Sequence, residues 1–237
     1  MAGEGRLVAR PQAPGSGTTA EPGLHRLAVA AGRGDRARDA HQHDALLYVP
    51  AGYRADRSAP LAVMLHGAGG TAEHGMSILR DLADEAGLLL LAPASRGPTW
   101  DVLLGGFGPD VTVVDAALTE TFARCAVDPA RVAVGGFSDG ASYALSLGLT
   151  NGDLCTHVIA LAPGFMAPAR QVGRPRCFVA HGTRDVVLPI DVCSRRLVPA
   201  LERAGYDVRY HEFEGPHTVP PDVAREAVAW FTQPAPG

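Results

Sequence analysis

Ser138 stands in the pattern Gly-Phe-Ser-Asp-Gly, between an apolar run at 131–135 and a helical pattern that follows it. This arrangement is typical of a nucleophile elbow, in which a strained turn between strand and helix projects a serine hydroxyl. Side chains two residues before and after the serine would collide with such a turn, and Gly136 and Gly140 remove them. The alternative is a glycine-rich loop in which Ser138 caps the helix, but the flanking strand and helix favour a nucleophile.

A serine nucleophile needs a base, and behind this type of elbow the chain order is serine, acid, histidine. Of the nine histidines, His217 alone lies after the last predicted strand and directly before the closing helix, where Gly215 and Pro216 fix the turn. The others lie within predicted strands or precede the nucleophile or the acid: His25, His41, His43, His66, His74, His157, His181 and His211. His217 is therefore the predicted base.

The acid is predicted at Asp185, which follows the predicted strand 176–180 and so falls at the carboxyl edge of a parallel sheet. Asp191 remains an alternative, although its position is more typical of an N-cap for the next helix. A second alternative is that Asp185 is a loop carboxylate paired with Arg184. The sequence favours Asp185 as the acid and leaves both alternatives open.

An acyl transfer also needs backbone N–H groups that face the developing oxyanion. Residues 65–70, Leu-His-Gly-Ala-Gly-Gly, follow a buried strand, and glycines let the main chain approach a substrate closely. We assign one donor to Ala68 and the other to Asp139, the residue after the nucleophile. Gly69 remains an alternative to Ala68. Gly67 and Gly69 are predicted to lie against the substrate.

Two rival ligand sites are disfavoured. Residues 67–72 fit the dinucleotide fingerprint G-x-G-x-x-[GA], which expects an acidic residue at the end of the next strand. The predicted strand 88–92 instead runs into Pro-Ala-Ser. Residues 41–44, His-Gln-His-Asp, lack a third metal ligand at a suitable spacing. We therefore predict neither cofactor nor metal, and we interpret His66 as a structural hydrogen bonder.

Composition limits the other classes of function. The 237 residues are 46% hydrophobic and 19% charged, which is ordinary for a globular domain, and the net charge of −4 does not indicate nucleic-acid binding. All 21 basic residues are Arg, so the absence of Lys excludes Schiff-base chemistry, a P-loop and a Ser-Lys dyad. Four cysteines without a CxxC pair indicate buried thiols in a cytoplasmic protein: Cys125, Cys155, Cys177 and Cys193.

The pattern along the chain predicts one domain at 23–233, between a flexible tail at 1–22 and a frayed end at 234–237. We find no secretory h-region and no run of about 18 apolar residues, so membrane insertion is not expected. The predicted strands are 24–30, 45–49, 61–65, 88–92, 131–135, 157–161, 176–180 and 208–213. The predicted helices are 76–86, 111–125, 139–149, 192–204 and 221–231. Their alternation predicts an α/β protein with a mostly parallel sheet of about eight strands and helices on both faces, opened by a hairpin-like pair of strands.

With these residues in place, the chain resembles the phospholipase/carboxylesterase group of α/β-hydrolases. It is also similar to small esterases near the polyhydroxyalkanoate-depolymerase and feruloyl-esterase branches. The resemblance covers roughly 45–232 and rests on the motifs at 65–70, 127–145, 181–189 and 215–221. It implies the α/β-hydrolase fold and cofactor-free hydrolysis of a small-molecule carboxylic ester through an acyl-enzyme. The family's nucleophile, acid and base match Ser138, Asp185 and His217.

One departure concerns the loop at 165–175, where related lipases insert a cap domain over long acyl chains. The loop is short here, so we predict an open site without a substantial lid. Phe165, Met166 and the segment 100–107 are candidate pocket walls, although Trp100 could instead pack on the rim of the sheet. A thioesterase, a serine peptidase and a non-catalytic binding domain remain alternatives, and the oligomeric state is undetermined.

Overall fold

The computed structural model describes residues 4–12, 20–29 and 45–233. Eight strands form one sheet in the order β1-β2-β4-β3-β5-β6-β7-β8. The strands are β1 Gly23–Leu27, β2 Ala45–Val49, β3 Ala59–Leu65, β4 Leu89–Ala92, β5 Val127–Phe137, β6 His157–Leu161, β7 Arg176–Gly182 and β8 Val208–Phe213. The helices are α1 Ala72–Ser77, α2 Ala83–Ala86, α3 Pro109–Arg124, α4 Asp139–Thr150, α5 Ser194–Arg203 and α6 Pro221–Thr232.

The strands from β3 to β8 pair in parallel, whereas β1 pairs with β2, and β2 with β4, in antiparallel fashion. This arrangement confirms the predicted mostly parallel sheet and the antiparallel opening pair. Parallel strands direct their carboxyl ends to one edge of the sheet, where functional residues collect. None of the helices in the described ranges is long and apolar enough to cross a membrane.

The side chains of each central strand alternate between two hydrophobic cores. In β3, Leu61, Val63 and Leu65 belong to the core that contains residues of α3, α4 and α5. Ala62 and Met64 belong to the core on the other face, which contains residues of α1, α2 and α6. Because both faces of the sheet are covered, strands such as β3 are apolar at nearly every position, as their sequences predicted.

The helix predicted over 76–86 is wrong as a single element. The chain forms α1, a 3-10 turn at Arg80–Leu82 and then α2, because Leu79 leaves the helical conformation with φ −125° and ψ 2°. Met76, Leu79 and Ala83 are nevertheless all buried. The apolar spacing therefore survives the break, which explains why periodicity did not reveal it.

Residues 4–12 are packed, so the prediction of a flexible tail over 1–22 is wrong for this part. Leu7 is 2% exposed and Ala9 is 7% exposed, and both belong to the core beside α3 and α4. The backbone N–H of Leu7 donates to Oδ1 of Asn151 at 2.9 Å, and Nδ2 of Asn151 donates to the Gly5 carbonyl at 2.7 Å. The predicted end at 234–237 lies outside the described residues.

Candidate active site

Ser138 lies in a sharp turn between the end of β5 and the start of α4, with φ 57° and ψ −120°. Such a backbone conformation is strained for a residue other than glycine and holds the side chain away from the strand. A Cβ on Gly136 would lie 2.6 Å from the Gly140 carbonyl oxygen, and one on Gly140 would fall on the carbonyl oxygens of Leu65 and His66. The two glycines therefore let α4 start directly against the end of β3.

A continuous chain of hydrogen bonds joins the three residues predicted to act together. Oγ of Ser138 lies 2.9 Å from Nε2 of His217, and Nδ1 of His217 lies 2.6 Å from Oδ2 of Asp185. Because a carboxylate can only accept, Nδ1 carries the proton and Nε2 is free to accept the serine hydroxyl. The arrangement has the geometry of a nucleophile, a base and an orienting acid.

Asp185 is held at both of its oxygens. Oδ1 accepts the backbone N–H groups of Val187 at 2.9 Å and Leu188 at 2.8 Å, while Oδ2 accepts His217. Burial by itself would raise the pKa of Asp185, but the hydrogen bonds from Leu188, His217 and Val187 outweigh it and lower the pKa below its ordinary value. The carboxylate is therefore held in its charged form beside the imidazole.

The two alternatives for the acid take other partners. Oδ1 of Asp191 lies 2.7 Å from Nη1 of Arg195 in an exposed ion pair, away from His217. Arg184 lies 3.3 Å from Glu214 and not against Asp185. Of the two aspartates, it is therefore Asp185 that contacts the imidazole.

Asp185 and His217 come together because the loops after β7 and β8 are bonded to each other. The backbone N–H of Thr183 donates to Phe213 at 2.9 Å, and that of Arg184 donates to Gly215 at 2.9 Å. These bonds continue the pairing of β7 and β8 beyond the sheet. A residue that sequence reasoning missed, Phe137, packs against His217, with the two ring centroids 4.6 Å apart.

The loop after β3 faces Ser138. A Cβ on Gly67 would lie 3.4 Å from Cβ of Ser138, so the main chain of this loop passes close to the serine. The Gly69 N–H donates to the Pro98 carbonyl at 2.6 Å and is therefore occupied. Among the hydrogen bonds of the described residues, none uses the Ala68 N–H. This difference favours Ala68 over Gly69 as an oxyanion donor.

The second predicted donor, Asp139, is the first residue of α4. The first N–H groups of a helix have no partner within the helix, so this group can face a ligand. The carboxylate of Asp139 accepts a hydrogen bond from Oγ1 of Thr99 at 2.6 Å. This bond ties the start of α4 to the loop that precedes Trp100.

His66 is buried and hydrogen-bonded at both ring nitrogens. The backbone N–H of Ser95 donates to Nε2 at 3.0 Å, so Nδ1 carries the proton that is shared with the Gly67 carbonyl at 2.7 Å. Burial lowers the pKa of His66, although the bond to Gly67 opposes this effect. A neutral imidazole therefore holds the loop after β3 against the loop after β4, which is the structural role predicted for it.

The prediction that Trp100 forms a pocket wall is wrong. Its side chain is 0% exposed, it stacks on Tyr143 with ring centroids 5.0 Å apart, and its Nε1 donates to the His66 carbonyl at 2.8 Å. A residue without exposed surface cannot contact a substrate. Trp100 packs in the core beside the sheet, which agrees with the alternative interpretation. Its hydrogen bond to the His66 carbonyl holds the loop after β3.

Phe165 and Met166 are half-buried, in a loop that α4 holds in place. Oγ of Ser142 accepts the backbone N–H of Gly164 at 2.9 Å, and Oγ of Ser146 accepts that of Ala167 at 2.9 Å. Residues 162–175 contain neither helix nor strand, so no cap domain is inserted between β6 and β7. The position of Phe165 and Met166 is compatible with a pocket wall, which stays a prediction.

No group of three His, Cys, Asp or Glu side chains suited to a metal occurs within 4–12, 20–29 and 45–233. The candidate at His41, His43 and Asp44 lies outside these ranges. All four cysteines are buried and unpaired, as predicted. Burial raises the pKa of the Cys125, Cys155 and Cys177 thiols to about 12.

Residues 111–232 match the sequence profile of the family described as Phospholipase/Carboxylesterase. NocK of Nocardia uniformis subsp. tsuyamanensis, whose name proposes an esterase, is 32% identical over 146 residues, which cover 57% of this chain. The match spans only 42% of NocK, less than half of that protein's length.

Two crystal structures superpose on most of the chain. Esterase PE8 does so with a TM-score of 0.62 and 24% identity, covering 78% of this chain and 95% of that one. The S-formylglutathione hydrolase FrmB from Staphylococcus aureus does so with a TM-score of 0.65 and 12% identity, covering 81% and 93%. Together with the strand order, these similarities show that the chain has the α/β-hydrolase fold.

Proposed function

This chain belongs to the phospholipase/carboxylesterase family, and we propose that it is a serine hydrolase that cleaves carboxylic esters through an acyl-enzyme intermediate. The observation that supports the proposal most strongly is the pair of hydrogen bonds from Ser138 to His217 and from His217 to Asp185. In this proposal Ser138 is the nucleophile, His217 the base and Asp185 the acid. The route needs no cofactor and no metal.

Acylation begins when Oγ of Ser138 attacks the ester carbonyl while Nε2 of His217 takes the hydroxyl proton. Asp185 holds the imidazole in the required tautomer and stabilises its charged form. The tetrahedral intermediate collapses as the carbon–oxygen bond to the alcohol breaks, and His217 returns the proton to that alcohol. The acyl group then remains on Ser138.

Deacylation repeats the same steps with water. His217 takes a proton from water, the resulting hydroxide attacks the acyl-serine, and the carboxylic acid leaves as Ser138 regains its proton. In both steps the N–H groups of Ala68 and Asp139 receive the oxyanion. Preorganised donors of this kind contribute about 10²–10³ in rate each.

The proposed substrate is a small-molecule ester that enters an open site beside Gly67, Gly69, Phe165 and Met166. We expect no nucleic-acid partner and no membrane insertion. A thioester is the main alternative, since the name of the similar S. aureus protein is that of a thioester hydrolase. The same nucleophile and base would serve either substrate.

A substrate panel tests the proposal. We expect turnover of short p-nitrophenyl esters, with slower turnover of acyl thioesters and none of peptide anilides. Ser138→Ala should lower kcat by about 10⁴ or more and leave the fold intact. Ser77→Ala is the matched control, because Ser77 lies on the surface of α1 and donates to the His74 carbonyl.

The results separate the remaining classes. Turnover of anilides alone would overturn the esterase proposal in favour of a peptidase, and turnover of thioesters alone would indicate a thioesterase. A fluorophosphonate probe should label Ser138 in the wild-type chain. Absence of both labelling and turnover would indicate a non-catalytic binding domain.

A further inference from the structure

A second histidine, His181, contacts the same carboxylate that binds His217. His181 lies at the end of β7 and is 0% exposed. Its Nε2 lies 2.8 Å from the Leu188 carbonyl and 3.2 Å from Oδ2 of Asp185, and its Nδ1 lies 2.6 Å from Oγ of Ser194. The reaction scheme above does not use this imidazole.

The partners of His181 determine where its proton lies. Carbonyl and carboxylate oxygens only accept, so Nε2 must carry a proton that faces both Leu188 and Asp185. Nδ1 then has a lone pair and accepts the hydroxyl hydrogen of Ser194. Burial lowers the pKa of His181, which agrees with a neutral ring. Ser194 is itself fully buried at the start of α5, so its hydroxyl is held against the ring.

One imidazole thereby restrains both oxygens of the acid. Directly, its Nε2–H faces Oδ2, the oxygen that also binds His217. Indirectly, it fixes the carbonyl of Leu188, whose N–H donates to Oδ1 at 2.8 Å. Rotation of the Asp185 carboxylate would break contacts at both oxygens.

We propose that His181, oriented by Ser194 and Leu188, is a positioning residue that keeps Asp185 aligned with His217 during the reaction. This inference rests on the proposed function, because alignment of an acid matters only if that acid orients a catalytic base. His181 does not touch the substrate. It acts through Asp185 alone.

The test compares two substitutions at one position. In His181→Gln the side-chain amide can still donate from near the place of Nε2, whereas His181→Leu has a similar size and no donor. We expect His181→Leu to lower kcat for a p-nitrophenyl ester about 10- to 100-fold with KM changed less than about twofold. His181→Gln should restore most of the lost kcat.

The matched control is His157→Leu. His157 is also a buried histidine, but it lies at the amino end of β6, packed against Trp230 and Phe231, far along the sheet from the acid. Its substitution should lower the melting temperature and leave kcat per folded molecule unchanged. A purely structural role for His181 would give the same result in His181→Leu, a lower melting temperature with unchanged kcat. Wild-type kcat in His181→Leu would therefore overturn the proposal.

Ser194→Ala removes only the hydroxyl that binds Nδ1 of His181, and so tests the contribution of this hydrogen bond. We expect kcat to fall about 3- to 10-fold, because Nδ1 then loses its hydrogen-bond partner and the ring can rotate away from Leu188 and Asp185. If His181→Leu does not fold, this variant decides the question, and an unchanged kcat would overturn the proposal. Failure of the proposed function is distinguishable, because the wild-type chain itself would then hydrolyse no ester.

Discussion

Asp185 and Asp191 both follow β7, but one is buried and the other is exposed. The side chain of Asp185 is 0% exposed and is bonded to backbone N–H groups and to His217, whereas the side chain of Asp191 is 76% exposed and pairs with Arg195. A carboxylate that orients a base must itself be fixed, because an imidazole in the wrong tautomer cannot accept the serine proton. Exposure and hydrogen bonding therefore distinguish the two residues where position along the chain did not.

This difference predicts the outcome of two matched substitutions. Asp185→Asn should lower kcat for the ester by about 10³–10⁴, since an amide does not hold the proton of His217 on Nδ1. Asp191→Asn should leave kcat within about twofold of the wild type. Steady-state kinetics on both variants, with circular dichroism to check folding, makes the comparison. Equal losses in the two variants would contradict the assignment of the acid.

At the scale of single residues, predictability depended on whether the signal was local. Ser138 was predictable because its strand, glycines and helix are contiguous in sequence. His217 required elimination among nine histidines. The contacts of His181 with Ser194, and of Phe137 with His217, join segments that only the folded sheet brings together. A histidine four residues before the acid was the one signal that could have drawn attention to His181.

At the scale of elements, the site depends on the close approach of α4 to the end of β3. Gly140 lies in the first turn of α4, directly beside the carbonyl groups of Leu65 and His66. His66 begins the loop after β3, residues 66–71, and its carbonyl accepts the hydrogen bond from Trp100. A shift of α4 would therefore move Ser138 and the loop after β3 relative to each other.

Gly140→Ala should disturb both stability and activity, because a methyl group has no space at this contact. Overpacking of this kind costs about 1–3 kcal/mol of unfolding free energy. We expect a loss of that size in urea unfolding and at least a tenfold loss of kcat at temperatures where the variant is folded. Gly52→Ala is the matched control, since a Cβ there meets no atom within 4 Å. Wild-type kcat in Gly140→Ala would contradict the proposed coupling.

The fully buried strands were predictable for a physical reason. A strand buried on both faces is apolar at nearly every position, so β2 and β6 have the predicted bounds. β8 also has the predicted bounds, although none of its residues is fully buried. A helix break such as the one at Leu79 leaves the burial pattern intact and gives no sequence signal. Likewise the polar start of β5, residues 127–131, pairs with the sheet only in part and was not predicted.

At the scale of the whole molecule, three buried histidines link stability to pH. Burial is the largest effect that lowers the pKa of His66, His157 and His181, and for His157 the pKa falls to about 4. An unfolded chain protonates its histidines near pH 6.5. Between about pH 6.5 and 4 the unfolded state therefore binds more protons than the folded state. The free energy of unfolding must then fall as the pH falls through this window.

His157→Gln should flatten this pH dependence. The variant lacks one group that is neutral when folded and charged when unfolded, so it should lose about 1–3 kcal/mol less than the wild type between pH 7.5 and 4.5. Urea unfolding at the two pH values gives both free energies. An identical pH dependence in wild type and variant would show that His157 does not contribute.

The segment 4–12 extends the stabilised part of the molecule beyond the predicted domain. Arg6 forms two hydrogen bonds to Asp153, at 2.9 and 2.7 Å, and a third to the Thr150 carbonyl at 2.6 Å. A Cβ on Gly5 would lie 2.5 Å from the ring of Phe107, which packs on Tyr143. Tyr143 stacks in turn on Trp100, whose Nε1 donates to the His66 carbonyl in the loop after β3. The segment therefore packs on the same core as Phe107, Tyr143 and Trp100.

This packing predicts that Leu7→Ala destabilises the whole molecule. Truncation of a buried leucine costs about 2–5 kcal/mol, which is a large share of the stability of an ordinary domain. Arg6→Ala should cost about 1 kcal/mol, because Arg6 is the less exposed partner of a pair that also bonds a carbonyl. Arg54→Ala, which removes an exposed pair with Asp56, should leave the free energy of unfolding nearly unchanged. Urea unfolding of the three variants gives the ranking, and a Leu7→Ala variant as stable as Arg54→Ala would show that the segment is not part of the folded unit.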